Sequence, residues 1–149
     1  ILSGVSMGAA TVLMAAGLDL PENVKGIIAD CPYSSPGDII RKVARDMHMP
    51  DRLAWPFVKI GGRVYGGFDV DEMDAARAVK QATVPILIIH GESDSFVPCE
   101  MSDIAAENPT LVTRHTFPGA DHGFSYLVDT PRYKKIVTEF AEKALAPKA

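Results

Sequence analysis

Cysteine is scarce in this chain: Cys31 and Cys99 are the only two among 149 residues. Neither belongs to a Cys-x-x-Cys pair or a His/Cys cluster. That excludes a disulfide framework and a zinc motif and leaves two free thiols, as in proteins of a reducing compartment such as the cytoplasm. No metal site is expected. No apolar run reaches the ~18 residues that a membrane helix needs, so no membrane span is expected in this chain. Basic charge is also short, with 15 Lys and Arg against 19 Asp and Glu for a net charge of −4. The basic residues are scattered, which excludes nucleic acid as a partner, because phosphate binding needs a basic patch. Repeats and low-complexity tracts are absent. What remains, 47% hydrophobic and 23% charged residues, is the composition of an ordinary globular domain.

Within that composition two glycines bracket a serine. The run Ile1-Leu2-Ser3-Gly4-Val5-Ser6-Met7-Gly8-Ala9-Ala10-Thr11-Val12 holds Gly-x-Ser-x-Gly between an apolar stub and a helix-favouring segment that continues to Leu18. This is the pattern of a nucleophile elbow. A serine at a sharp strand-to-helix turn sits in strained torsions, and the residues two before and two after must be small where chain segments nearly touch. Gly4 and Gly8 meet that demand. A helix beginning at the serine points its first amides at the place where an anion would form.

Serine alone is a poor nucleophile at neutral pH and needs a base held by an acid. After such an elbow the chain order is serine, then acid, then histidine. The run Val84–His90 is a continuous apolar stretch typical of a strand buried on both faces, and Gly91-Glu92-Ser93-Asp94-Ser95-Phe96-Val97-Pro98 follows it. Groups that bind and react in open α/β sheets sit beyond the carboxyl ends of strands, which makes Asp94 the acid. Glu92 is its rival, and a turn or Asx cap is its plainer role. The next strand, within Thr110–Phe117, leads into Pro118-Gly119-Ala120-Asp121-His122-Gly123-Phe124. His122 is therefore the base. His90 ends a buried strand and reads as a structural, hydrogen-bonded histidine; His115 lies inside a strand and His48 on a helix.

Gly4-Val5-Ser6-Met7-Gly8, the segment His90–Pro98, and Gly119-Ala120-Asp121-His122-Gly123 resemble the three signature segments of the α/β-hydrolase superfamily, in order and over nearly the whole chain. Ser6-Met7-Gly8-Ala9-Ala10-Thr11, followed by Val24–Ser35, is similar to the bacterial esterase/lipase-like group related to the prolyl-peptidase-type hydrolases. The resemblance implies an α/β fold with a mostly parallel sheet and flanking helices. In this superfamily the elbow follows the fifth of eight strands, so the chain corresponds to the C-terminal half: a stub of strand five, then strand six (Val24–Asp30), seven (Val84–His90) and eight (Leu111–Phe117). The same resemblance makes the Met7 amide one oxyanion donor and places the second on a loop after the third strand, outside this sequence. A raw sheet edge follows, to be covered by the missing N-terminal half or by a second copy.

Between strands six and seven lies a long segment, 32–83, where the resembled family grows a cap over its active site. Pro36–Met47 has helical period, and Met47, Met49, Trp55, Phe57, Tyr65 and Phe68 either line an acyl pocket or pack the cap on the body. Trp55, Phe96 and Phe124 are the candidate pocket residues. Arg41, Lys42, Arg45 and Asp46 read as a solvated helix face. Asp69–Asp74 lacks the glycine and terminal glutamate of a calcium loop and reads as acids at a helix start. A closing helix is expected over Arg132–Leu145. The function implied is cleavage of a small-molecule carboxylic ester through an acyl-enzyme, with no cofactor. Peptidase, thioesterase and acyltransferase chemistry remain open on the same residues, as does an inactive fold serving as an interaction module.

Overall fold

A computed structural model describes residues 1–147. Four parallel strands, β1 (Leu2–Val5), β2 (Ile27–Asp30), β3 (Ile86–Gly91) and β4 (Val112–Phe117), lie side by side in chain order. Val5 stands opposite Asp30, Asp30 opposite Ile89, and Ile89 opposite His115. The strands therefore end together at one rim.

β2 and β3 read as unbroken apolar runs because both of their faces are covered. Ile27, Ala29, Ile86 and Ile88 point to one side, where they pack with Ala9, Leu13 and Ala16 of the α1 (Met7–Ala15) region and with Ala75 and Val79. Ile28, Leu87 and Ile89 point to the other, against Phe117 and Ala120. That side is closed by Tyr133, Ile136, Val137 and Phe140 of the last helix, which spans Thr130–Leu145. Helices on both faces of a parallel sheet make a three-layered α/β domain.

Strand starts are shorter than the apolar runs suggest. β3 begins at Ile86 because Pro85 has no amide to donate, and its carbonyl instead accepts from Ile27, the first residue of β2. Val24 turns back onto Pro21. His48 is not helical but lies past α2 (Pro36–Asp46) with φ of 56°.

The segment between β2 and β3 is built of two parts. Its end, α4 (Ala75–Gln81), is capped by Asp74, which accepts from the Ala76 and Arg77 amides, and buries Ala75, Ala78 and Val79. That helix belongs to the body of the domain. Before it, α2 and α3 (Asp51–Gly61) run into a π-helical turn at Gly62–Gly66, and α3 buries no residue. Only Asp74 of the acidic stretch serves a helix start; Asp69 and Asp71 pair with Arg63 and Lys59. Cys99–Glu107 forms a 3₁₀ helix, and a short helix, α5 (Ser125–Val128), precedes the last one, α6 (Thr130–Leu145).

Candidate active site

Ser6 is held at φ 54°, ψ −116°, between β1 and α1. Few non-glycine residues occupy positive φ, and such strain is kept where neighbouring structure imposes it. Here the Ser6 amide donates to the Asp30 carbonyl at 2.8 Å, and its carbonyl opens the helix by accepting from Ala10 at 3.0 Å. A serine at a helix start normally caps the first free amides with its hydroxyl. Ser6 does not: its Oγ lies 2.9 Å from His122 Nε2. The Met7 amide, at the first helical position, has no acceptor within its helix.

The two carboxylate oxygens of Asp94 have different partners. Oδ1 accepts from the Phe96 and Val97 amides at 3.0 and 2.7 Å, closing a turn. That turn locks the carboxyl group so that Oδ2 faces His122 Nδ1 at 2.8 Å. A carboxylate only accepts, so Nδ1 carries the ring proton and Nε2 is left as acceptor for the Ser6 hydroxyl. Ser6, His122 and Asp94 thus form one hydrogen-bonded chain. The Asp94 side chain is fully buried and that of His122 is 25% exposed, so the hydrogen-bonded chain meets solvent at His122 and not at Asp94.

His90 is structural, as its position at the end of β3 suggests. Its Nε2–H donates to the Val97 carbonyl at 3.0 Å and lies 3.3 Å from Asp94 Oδ2, bracing the acid turn from below. Burial lowers its pKa and keeps it neutral. Glu92 accepts from Thr116 Oγ1 instead of facing the histidine. The loops that carry Asp94 and His122 are clasped by Asp121, a residue that sequence reasoning did not single out. Its Oδ1 accepts from the Ser95 amide and hydroxyl and from the His122 amide, at 2.8, 2.9 and 2.8 Å. Those bonds hold its pKa below the usual carboxylate value. Gly91 permits the approach, since a Cβ there would lie 2.3 Å from the Ala120 carbonyl oxygen.

Phe96 sets its ring edge-on to His122, with centroids 5.2 Å apart, and Phe124 lies half exposed two residues beyond His122. Trp55 is engaged elsewhere. It lies over Gly37 of α2 and stacks under the Arg41 guanidinium at 3.9 Å, so its contacts join α3 to α2. Lys42 is no solvated side chain either: its Nζ donates to the Ser95 carbonyl at 2.8 Å and pairs with Asp46 at 2.6 Å, tying α2 to the acid loop. Met47, Phe57 and Tyr65 are exposed, Tyr65 at 93%.

Two further buried groups flank this chain. Asp30 Oδ2 accepts from the Tyr133 hydroxyl at 2.8 Å, while Oδ1 has no partner. Burial raises its pKa, with the Tyr133 bond opposing. The folded chain therefore holds the Asp30 proton more tightly than the unfolded chain, and stability drops as pH climbs from the ordinary carboxylate range through the raised value. Thermal melts from acid to neutral pH are expected to show a smaller loss for Asp30→Asn than for the parent; equal slopes would contradict the assignment. Cys31, at φ 47°, is fully buried and its thiol is pushed up to about 12, first by burial and then by Asp30. It is no rival nucleophile at neutral pH.

Four parallel strands covered by helices on both faces, with a serine at the turn after the first, an acid beyond the third and a histidine beyond the fourth, define part of an α/β-hydrolase fold. β1 to β4 stand for strands five to eight. The chain belongs to the prolyl oligopeptidase family, whose model matches residues 1–148. It is 25% identical over 148 residues to the uncharacterized protein YqkD of Bacillus subtilis (strain 168), covering 95% of this chain and 47% of that protein. The chain thus spans about half the length of this curated relative. Its fold matches a Mycobacterium tuberculosis puromycin-hydrolyzing peptidase with TM-score 0.72 and 20% identity, over 98% of this chain and 22% of that one. A Pyrococcus furiosus esterase matches with TM-score 0.67 and 21% identity, over 97% and 53% of the two chains. A Pyrococcus horikoshii acylaminoacyl peptidase matches with TM-score 0.68 and 18% identity, over 99% and 24%. No helix among the described residues is long and apolar enough to cross a membrane.

Proposed function

We propose that the chain carries the catalytic residues of a serine hydrolase that cleaves carboxylic esters through an acyl-enzyme. The observation that carries this reading is the hydrogen-bonded chain from Ser6 through His122 to Asp94. Ser6 Oγ attacks the carbonyl while His122 Nε2 takes its proton, and Asp94 stabilises the imidazolium that results. The Met7 amide receives the oxyanion. The proton then passes from His122 to the leaving alcohol, and water repeats the sequence to release the acid. Nothing in these steps calls for a cofactor.

Family membership supports a second reading, cleavage of a peptide or acyl-amino bond by the same residues. A panel of aryl esters, thioesters and peptide anilides separates the two. The ester reading expects kcat/KM for esters to exceed that for anilides of the same acyl group; the reverse order would establish the peptidase reading.

The second oxyanion donor and the cover for β1 come, in this reading, from upstream sequence or from a second copy. The support is a half-exposed Val5 on the outermost strand and a bare apolar face on α3. One missing oxyanion donor costs about 10²–10³ in rate. Residues 1–149 alone are expected to turn over esters slower by that factor than the same residues joined to the upstream half. Equal rates would show that this sequence needs no outside donor.

A further inference from the structure

Sequence spacing isolates Cys31 from every histidine, yet the fold places it beside the proposed acid and base. One ligand atom from each of Cys31, Asp94 and His122 lies within 4.8 Å of the other two, the one such group of three among the described residues. Sulfur, imidazole nitrogen and carboxylate oxygen are the donors that zinc takes, with bonds of about 2.0–2.3 Å. A tetrahedral ion with such bonds spaces its ligands roughly 3.3–3.8 Å apart, so side-chain rotation of about 1 Å closes the set. Of the three, His122 is open to solvent, with 25% of its side chain exposed.

We propose that Cys31, Asp94 and His122 form an inhibitory site for a thiophilic divalent cation, Zn²⁺ first among them. The thiol gives its proton to solvent on binding. The ring keeps its single proton on whichever nitrogen the ion does not take. If the ion takes Nε2, the acceptor for Ser6 is occupied; if it takes Nδ1, the ring proton moves to Nε2. Either way the Ser6 hydroxyl loses its base. Binding itself is independent of the function proposed for Ser6, and only the inhibition rests on that reading.

Cd²⁺ reports on such a site directly, because a thiolate bound to it absorbs in the near ultraviolet. Titration of the chain with Cd²⁺ is expected to give a single saturable charge-transfer band. Cys99→Ala retains this band, Cys31→Ala abolishes it, and His122→Ala weakens the affinity at least about tenfold. A parent chain without the band, or a band indifferent to Cys31→Ala or His122→Ala, would overturn the proposal. If Cys31→Ala does not fold, the partly exposed His122 position decides alone. Zn²⁺ is further expected to suppress labelling of Ser6 by a fluorophosphonate in the parent, and labelling of Cys31→Ala no longer responds to it. A chain that binds Cd²⁺ as described but never labels, even when joined to the upstream half, would refute the hydrolase reading and leave the metal site standing.

Discussion

Ser6→Ala will lower ester turnover by on the order of 10⁶ while leaving the melting temperature nearly unchanged. Removal of the nucleophile from a serine–histidine–acid enzyme costs about that much, because the remaining members have nothing to activate. Stability is spared for a local reason. The hydroxyl caps no helix amide and bonds only outward to His122, and alanine bears the same Cβ in the same strained torsions. Asp94→Asn is expected to fall by roughly 10⁴, since an amide presented to Nδ1 favours the wrong tautomer. A stopped assay on purified, folded variants checks both. Ser6→Ala with more than a few per cent of parental activity would remove Ser6 from the mechanism.

Gly4→Ala will abolish folding or cost more than about 4 kcal/mol, the range reserved for backbone collisions and large core defects. A Cβ on residue 4 would lie 2.3 Å from the carbonyl carbon and oxygen of Gly8 and 2.7 Å from the Ala9 nitrogen. These are backbone atoms of the first turn of α1, and moving them takes Ser6 out of line with His122. Gly8 carries the opposite expectation and corrects the sequence reading, which asked for smallness on both sides of the serine. A Cβ on Gly8 meets nothing within 4 Å, so Gly8→Ala gains up to about 1 kcal/mol of helix propensity. Chemical denaturation of the two variants side by side tests the pair. A Gly4→Ala chain as stable as the parent would show that β1 and α1 do not meet as closely as described.

The elements that were legible in the sequence are those governed by local pattern. Continuous apolar runs gave away strands buried on both faces, and glycine-rich turns after them marked where Asp94 and His122 stand. The order of serine, acid and histidine that an elbow calls for then selects among the residues in those turns. What escaped depends on contacts between distant segments. Nothing near Asp121 tells that its carboxylate receives the Ser95 amide, although its place beside His122 was a hint. Lys42 looks like any exposed helical lysine until α2 lies against the acid loop. Trp55 reads as a pocket or packing residue from its place in the cap-like segment, and its partner on α2 shows only in the fold, where its ring lies over Gly37. Cys31 looked inert for want of neighbours in sequence, and its neighbours are 63 and 91 residues away.

The most direct test of the account is labelling of the chain with a fluorophosphonate, followed by mapping of the modified peptide. The account predicts modification of Ser6 alone, lost in Ser6→Ala and reduced in His122→Ala. Modification of any other serine, or labelling that persists unchanged without His122, would contradict it.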